Sequence, residues 1–115
     1  RIRGAPPLVT LLVQGPVGAW IVGSRADFTQ EPREGADWDI AVSPFQWAEA
    51  MMGLYPYLQE EGTKIRITRL GNLQVIRLGV VLDIWPADVA ELLTRPFVSG
   101  AWHPKSGTVL VQGGL

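Results

Sequence analysis

Short apolar runs separated by glycine and proline dominate the hydrophobic pattern of this chain. The runs Ala19–Val22 and Trp38–Val42 end at a glycine and at a serine-proline pair, so each predicts a short buried strand. Val80–Trp85 predicts a third buried strand, and Thr108–Val111 predicts a last short one. Residues 6–13 are almost entirely apolar and fit either a strand or a helix that begins at a proline.

Helical spacing predicts one main helix, from about Phe45 to Leu58, which the serine-proline pair would cap. Its expected apolar face comprises Phe45, Ala48, Met51, Met52 and Tyr55. Pro56 is expected to kink or end this helix because proline lacks the backbone N–H. Pro86–Leu93 predicts a short helix, and Ser24–Gln30 predicts one or two helical turns before a loop.

Strict alternation of polar and apolar residues predicts a hairpin in the middle of the chain. Lys64–Arg69 is expected to be a half-exposed strand, and Leu73–Leu78 its partner beyond a Gly-Asn turn. Residues 62–79 contain no acid, and their four cations are Lys64, Arg66, Arg69 and Arg77. This charge pattern fits either a solvated hairpin or a cationic face that binds a phosphate backbone.

Length and composition limit the classes of protein to which the chain can belong. A chain of 115 residues predicts one domain, 1–115, with elements that mix helices and strands. The absence of cysteine excludes disulfide frameworks, cysteine-based zinc sites and thiol catalysis, and a lone His103 argues against a multi-histidine metal site. No apolar run is long enough to cross a bilayer and no signal peptide is visible, so we expect a cytoplasmic domain that binds no membrane.

Aspartates inside apolar strands are the main chemical signal. Asp39 and Asp83 both lie in predicted buried strands, where a carboxylate without a partner is costly. Asp37 lies two residues before Asp39, so their side chains are expected on the same side of the strand. A divalent cation would relieve the repulsion, and carboxylates without histidine or cysteine suit Mg²⁺ or Mn²⁺. With Asp83 on a neighbouring strand, three carboxylates could hold two metal ions, as phosphoryl displacement requires.

A glycine-serine pair at the end of a predicted strand is a second signal. Free backbone N–H groups at Gly23 and Ser24 could bind phosphate oxygens, and Arg25 could add positive charge. Taken alone, such a pair is most often an ordinary turn. Its combination with the aspartates is more specific, because twelve residues (25–36) separate it from Asp37.

This combination resembles the nucleotidyltransferase superfamily that includes DNA polymerase beta, and most of all the palm of family X DNA polymerases. The resemblance implies an α+β, polymerase beta palm-like nucleotidyltransferase fold, with a small mixed β-sheet and helices packed on one side. It also implies transfer of a nucleoside monophosphate from a (d)NTP to a hydroxyl by a two-metal mechanism, with Mg²⁺ or Mn²⁺ as cofactor. The expected acceptor is a DNA or RNA 3′ end, because the hairpin before Asp83 is basic.

The resemblance also implies a role for each matching residue. Asp37 and Asp39 would bind both metals, and Asp83 would bind the catalytic metal and help to activate the 3′-hydroxyl. The implied nucleotide-binding residues are Gly23, Ser24, Arg25, Phe97, Ser99 and Gly100, the last three along the sugar. The implied nucleic-acid-binding residues are Lys64, Arg66, Arg69 and Arg77. Trp102, interpreted as a loop residue, could stack on a base or simply pack in the loop.

The sequence departs from the family pattern at two positions and leaves two other functions open. Asp27 and Val81 stand where the family has arginines. The small size also fits a minimal, antitoxin-like nucleotidyltransferase that modifies a partner protein. A nucleotide- or nucleic-acid-binding module without catalysis is the third hypothesis, although it gives no reason to keep three costly aspartates.

Overall fold

A seven-stranded mixed β-sheet forms the centre of the computed structural model, which describes residues 4–29 and 31–112. The strands are β1 (Trp20–Val22), β2 (Trp38–Val42), β3 (Lys64–Ile67), β4 (Leu73–Arg77), β5 (Val80–Pro86), β6 (Gly100–His103) and β7 (Thr108–Val111). Their order across the sheet is β3-β4-β5-β2-β1-β6-β7. The β2–β5 pair is parallel and every other pair is antiparallel, so the chain forms a mixed α+β fold.

Three α-helices accompany the sheet in the described residues: α1 (Pro7–Gln14), α2 (Trp47–Leu58) and α3 (Val89–Leu92). The ambiguous apolar run near the N-terminus is therefore a helix, with proline at its first position, where no backbone donor is required. Single 3₁₀ turns occupy Gly23–Ala26 and Pro44–Gln46. The first is shorter than the helical segment predicted from Ser24, whose last residue, Gln30, lies outside the described residues.

The two faces of the sheet carry separate hydrophobic cores. Alternate strand residues such as Ile40 and Ile84 face α1 and α2, where they pack with Leu12 and Leu54. The opposite face carries a smaller core around Trp85, together with Leu92 of α3. The prediction that helices pack on one side is thus confirmed for α1 and α2, whereas α3 packs on the other side.

The predicted apolar face of α2 is largely wrong. Phe45, Met52 and Tyr55 are 97%, 77% and 62% exposed, whereas Ala50 and Leu54 are buried. Apolar residues surround most of this helix, so their spacing does not show which side faces the sheet. Pro56 lies inside the last turn and the helix continues to Leu58, so this proline does not end the helix.

The C-terminal part of the sheet differs most from the prediction. Strand β6 is absent from the sequence prediction, and Trp102 lies in it rather than in a loop.

All four residues of β3 are exposed, so the hairpin's outer strand is less buried than the alternation of its residues predicts. Among the described residues, no helix is both long enough and apolar enough to cross a membrane.

Candidate metal and nucleotide site

Two buried or half-buried carboxylates meet at the centre of the sheet. Asp39 of β2 and Asp83 of β5 are directly opposite each other in the parallel pair. Both belong to the face that carries α3, since their neighbours Ile40 and Ile84 face the other two helices. Asp37 lies one residue before β2 and is exposed. The strand pairing therefore brings together the two aspartates that lie within apolar sequence.

Hydrogen bonds orient both carboxylates. The indole Nε1 of Trp85 donates to Asp39 Oδ1 over 3.2 Å. Asn72 Nδ2 and Gln74 Nε2 donate to Asp83 Oδ1 over 2.7 and 3.1 Å. In each carboxyl group these donors occupy Oδ1, and Oδ2 has no hydrogen-bond donor among the described residues. Each carboxylate therefore keeps one oxygen that a ligand could bind.

Burial makes the carboxylate pair unusual in its acidity. The pKa of Asp39 is raised from 3.8 to about 6, mainly because the group is buried; the charges of Asp83 and Asp37 also raise the pKa, and the Trp85 hydrogen bond lowers it. Burial is also the main cause that raises the pKa of Asp83, opposed by its two amide donors and by the charge of Arg66. Asp37 acts electrostatically on both groups, so the three predicted aspartates share one region of negative charge.

The donor atoms of this pair match the chemistry of a small divalent cation. Mg²⁺ binds through one or two carboxylates and completes its coordination with water and substrate phosphates. Asp39 and Asp83 supply two such carboxylates, and their face of the sheet presents oxygen donors without cysteine. In the described part of the chain, no group of three or more histidine, cysteine or acidic side chains is arranged to hold a metal ion. The residues present thus fit a cation held by two carboxylates, with Asp37 exposed beside them.

The predicted glycine-serine pair adjoins Asp39. Val22 pairs with Asp39 across β1 and β2, so the chain leaves the sheet at Gly23, right beside the carboxylate. A Cβ at Gly23 would lie 3.6 Å from Asp39 Oδ2, and its φ of +76° is one that glycine adopts without strain. Ser24 follows and is exposed. The structure therefore brings this pair and Asp39 together.

Arg25 contacts a different part of the molecule. Its guanidinium carbon lies 4.3 Å from the ring centroid of Trp38, and Nη2 donates to the Ala36 carbonyl over 2.7 Å. Trp38 belongs to the core on the α1 and α2 side, opposite the Asp39 side chain. Arg25 therefore connects the 3₁₀ turn after β1 to the residues at the start of β2, and these contacts lie away from the two carboxylates.

A neighbouring cavity is lined by an arginine, Arg33, that the sequence analysis does not single out. The cavity has a volume of about 360 Å³ and is lined by Ser24, Asp27 and Arg33, among others. Asp27, which stands where the family has arginine, accepts a hydrogen bond from the Thr29 backbone N–H over 2.9 Å. Arg33 is therefore the cation that lines the space beside Ser24.

The predicted sugar-binding stretch is only partly near the carboxylates. Phe97 is exposed, with its ring centroid 6.4 Å from that of Trp85, and both line a cavity of about 40 Å³ with Asp39. Ser99 is exposed, and its carbonyl accepts a hydrogen bond from the Gln112 N–H over 2.9 Å. Gly100 begins β6, where a Cβ would approach the Leu110 carbonyl oxygen to 3.0 Å, so this glycine allows close strand packing.

The four predicted nucleic-acid-binding cations are divided between the two faces of the sheet. Arg66 pairs with Gln74, which pairs with Asp83, so Arg66 lies on the carboxylate face, as does Lys64 two residues earlier. Arg77 is on the opposite face and forms an ion pair with Glu60 at 2.5 Å between Nη1 and Oε2. Arg77 therefore does not belong to the single basic face that the charge pattern predicts.

A groove joins two of these cations to Asp83. It has a volume of about 450 Å³, and Arg66, Arg69, Gln74 and Asp83 are among its lining residues. Asn72 also lines it and is 2% exposed. The sequence suggested only a turn residue at position 72 and no role at 74. The signal in the sequence is the pair of amide side chains Asn72 and Gln74, two residues apart, at the start of the strand that precedes Asp83.

Comparison of the chain with protein-family models, curated proteins and solved structures gives no match. The functional conclusion therefore depends on the geometry and chemistry of the site.

Proposed function

We propose that the protein is a metal-dependent nucleotidyltransferase that transfers a nucleoside monophosphate from a (d)NTP to the 3′-hydroxyl of a nucleic acid. The observation that carries this proposal is the pairing of Asp39 with Asp83 beside Gly23. Two carboxylates that repel each other suit a cation, and a glycine turn beside Asp39 allows a phosphate chain to approach closely. The resemblance to the polymerase beta palm supplies the same roles for these residues.

The residues of this chain would bind and orient the reactants. A bound Mg²⁺ or Mn²⁺ would polarise the α-phosphate and offset charge on the leaving pyrophosphate. Asp39 and Asp83 would hold the cation through their carboxylates, and Asp37 would add negative charge from the strand entrance. Gly23 and Ser24 would receive the outer phosphates. The 3′-hydroxyl gives up its proton to Asp83 or to water, and its oxygen bonds to the α-phosphorus as the bond to the β-phosphate oxygen breaks and pyrophosphate leaves.

The groove beside Asp83 favours a nucleic acid over a protein or small-molecule acceptor. Arg66 and Arg69 line it, so its charge attracts a phosphate backbone. Because Asp83 also lines the groove, a strand bound in it would lie beside this carboxylate. This observation supports the nucleic-acid acceptor rather than the protein-modifying alternative.

Labelled-nucleotide transfer tests the proposal. The chain is incubated with α-labelled dNTPs or NTPs, Mg²⁺ or Mn²⁺, and single-stranded or primed DNA and RNA. Asp39→Asn and Asp83→Asn should each abolish transfer. The matched control is Asp88→Asn, which changes an exposed aspartate before α3 and should keep activity. Label on the protein rather than on nucleic acid would favour the protein-modifying alternative, and full activity in either site variant would contradict the assignment.

A further inference from the structure

Two hydrogen-bond chains converge on one oxygen of Asp83. In the first, Thr68 Oγ1 bonds to Asn72 Oδ1, and Asn72 Nδ2 donates to Asp83 Oδ1 over 2.7 Å. In the second, Arg66 Nε donates to Gln74 Oε1 over 2.9 Å, and Gln74 Nε2 donates to the same Asp83 oxygen over 3.1 Å. Both chains begin in the β3–β4 hairpin and end at the carboxylate.

The outer partners fix which way each amide faces. Asn72 Oδ1 meets the Thr68 hydroxyl and Gln74 Oε1 meets the Arg66 guanidinium, so both NH₂ groups face Asp83. Rotation of either amide by 180° would place an oxygen against the carboxylate, and rotation of Gln74 would also place a nitrogen against the Arg66 donor. The orientation of the donors is therefore determined by the network around them.

Burial indicates that Asn72 has a role beyond ending a turn. At 2% exposure it is one of two buried polar side chains named in the described core, and the other is Asp83 itself. Burying an amide costs free energy unless its hydrogen bonds are satisfied, and here they are satisfied by Thr68 and by the carboxylate. A turn needs no buried amide, whereas a carboxylate that must keep one orientation benefits from two donors on one oxygen.

We infer that Asn72 and Gln74 are positioning residues that hold the Asp83 carboxylate in one orientation, with Oδ1 occupied, for a cation shared with Asp39. This inference rests on the proposed function and extends it to the hairpin. Because Arg66 gives its Nε–H to Gln74, its terminal nitrogens are left for an acceptor phosphate in the groove. Gln74 thus links the group that binds the acceptor to the group that binds the cation.

Direct binding of Mn²⁺, followed by electron paramagnetic resonance, tests the inference without relying on turnover. Gln74→Leu and Asn72→Leu keep side-chain size and remove the donors, and each should weaken Mn²⁺ binding by about tenfold, the loss typical when a partner of a metal ligand is removed. Gln112→Leu is the matched control, because Gln112 donates its amide hydrogens to the carbonyls of Leu93 and Arg95, away from the carboxylates. It should leave Mn²⁺ affinity unchanged.

Steady-state kinetics separate positioning from acceptor binding. Gln74→Leu should lower kcat more than it changes the KM of the nucleotide, whereas Arg69→Ala, in the same groove, should mainly raise the KM of the acceptor strand. Gln74 is half-buried, so Gln74→Leu should fold. If Asn72→Leu does not fold, Gln74→Leu alone tests the positioning role.

The outcomes distinguish failure of the inference from failure of the proposed function. Unchanged Mn²⁺ affinity in Gln74→Leu, in a chain that itself binds Mn²⁺ and transfers nucleotide, would overturn the positioning role alone. Absence of both Mn²⁺ binding and transfer in the unmodified chain would overturn the proposed function, and the inference with it.

Discussion

Asp39 and Asp83 are nearest neighbours on adjacent parallel strands, with their side chains on the same face of the sheet. Adjacent strands are about 5 Å apart, so two ionised carboxylates at this spacing repel each other in a partly buried setting. An apolar pair at these positions would fold at lower cost. We interpret the pair as an arrangement that a bound cation stabilises.

The pH dependence of stability should report the acidity of Asp39. Its pKa is 3.8 when exposed to solvent and about 6 in the folded chain, so between these values the folded state binds more protons. Stability contributed by this group is therefore present at low pH and lost as pH rises through about 6. In EDTA at pH 7.5, the free energy of unfolding of Asp39→Asn should be higher than that of the unmodified chain by roughly 2–3 kcal/mol. This difference should disappear near pH 4.

Urea unfolding at several pH values measures this difference, with Asp88→Asn as the control that should follow the unmodified chain. A gap between Asp39→Asn and the unmodified chain that does not change with pH would contradict the assigned origin of the raised pKa.

Added Mg²⁺ or Mn²⁺ should stabilise the folded chain. A ligand present at a hundred times its dissociation constant stabilises by about 2.7 kcal/mol, and chelation with EDTA should remove this gain. Asp39→Asn and Asp83→Asn should lose most of the effect. Thermal unfolding with and without Mn²⁺ makes the comparison, and equal Mn²⁺ stabilisation of Asp83→Asn would place the cation elsewhere.

The split of the basic residues predicts unequal effects on nucleic-acid binding. Arg66→Ala and Arg69→Ala should each weaken binding of single-stranded DNA and reduce its salt dependence, by about 0.7 in the log-log slope for each lost phosphate contact. Arg77→Ala is the matched control, because Arg77 lies on the other face with Glu60. Fluorescence anisotropy over a salt series measures both quantities. An equal loss in Arg77→Ala would show that the bound strand does not follow the groove.

The buried side of α2 predicts which substitutions in that helix destabilise the chain. Leu54 is fully buried against the sheet, so Leu54→Ala should cost about 2–5 kcal/mol. Met52 is 77% exposed, and Met52→Ala should change stability by less than about 0.5 kcal/mol. Urea unfolding of the two variants tests the orientation of the helix, and the reverse order of stability would contradict it.

Local patterns predict the elements of the site better than their arrangement. The strands that carry Asp39 and Asp83 follow from short apolar runs, and the common face of Asp83 and Trp85 follows from the two-residue period of a strand. That β2 lies beside β5 does not follow, because the sequence does not encode the pairing of distant strands in any local pattern. The relation of Asp39 to Asp83 therefore required the structure.

Register explains most of what the sequence could not show. Composition groups Arg66 with Arg77, yet the turn between β3 and β4 sets a register in which they point to opposite faces. The same register places Gln74 between Arg66 and Asp83. The amide network around Asp83 is thus a consequence of turn length, which residue type alone does not reveal.

Mn²⁺-dependent incorporation of α-labelled nucleotide into a single-stranded or primed DNA or RNA is the most direct test of the central claim. The account predicts product with the unmodified chain and with Asp88→Asn, and none with Asp39→Asn or Asp83→Asn. Product that persists undiminished in Asp83→Asn would contradict it, as would a folded, Mn²⁺-binding chain that transfers nucleotide to no DNA or RNA.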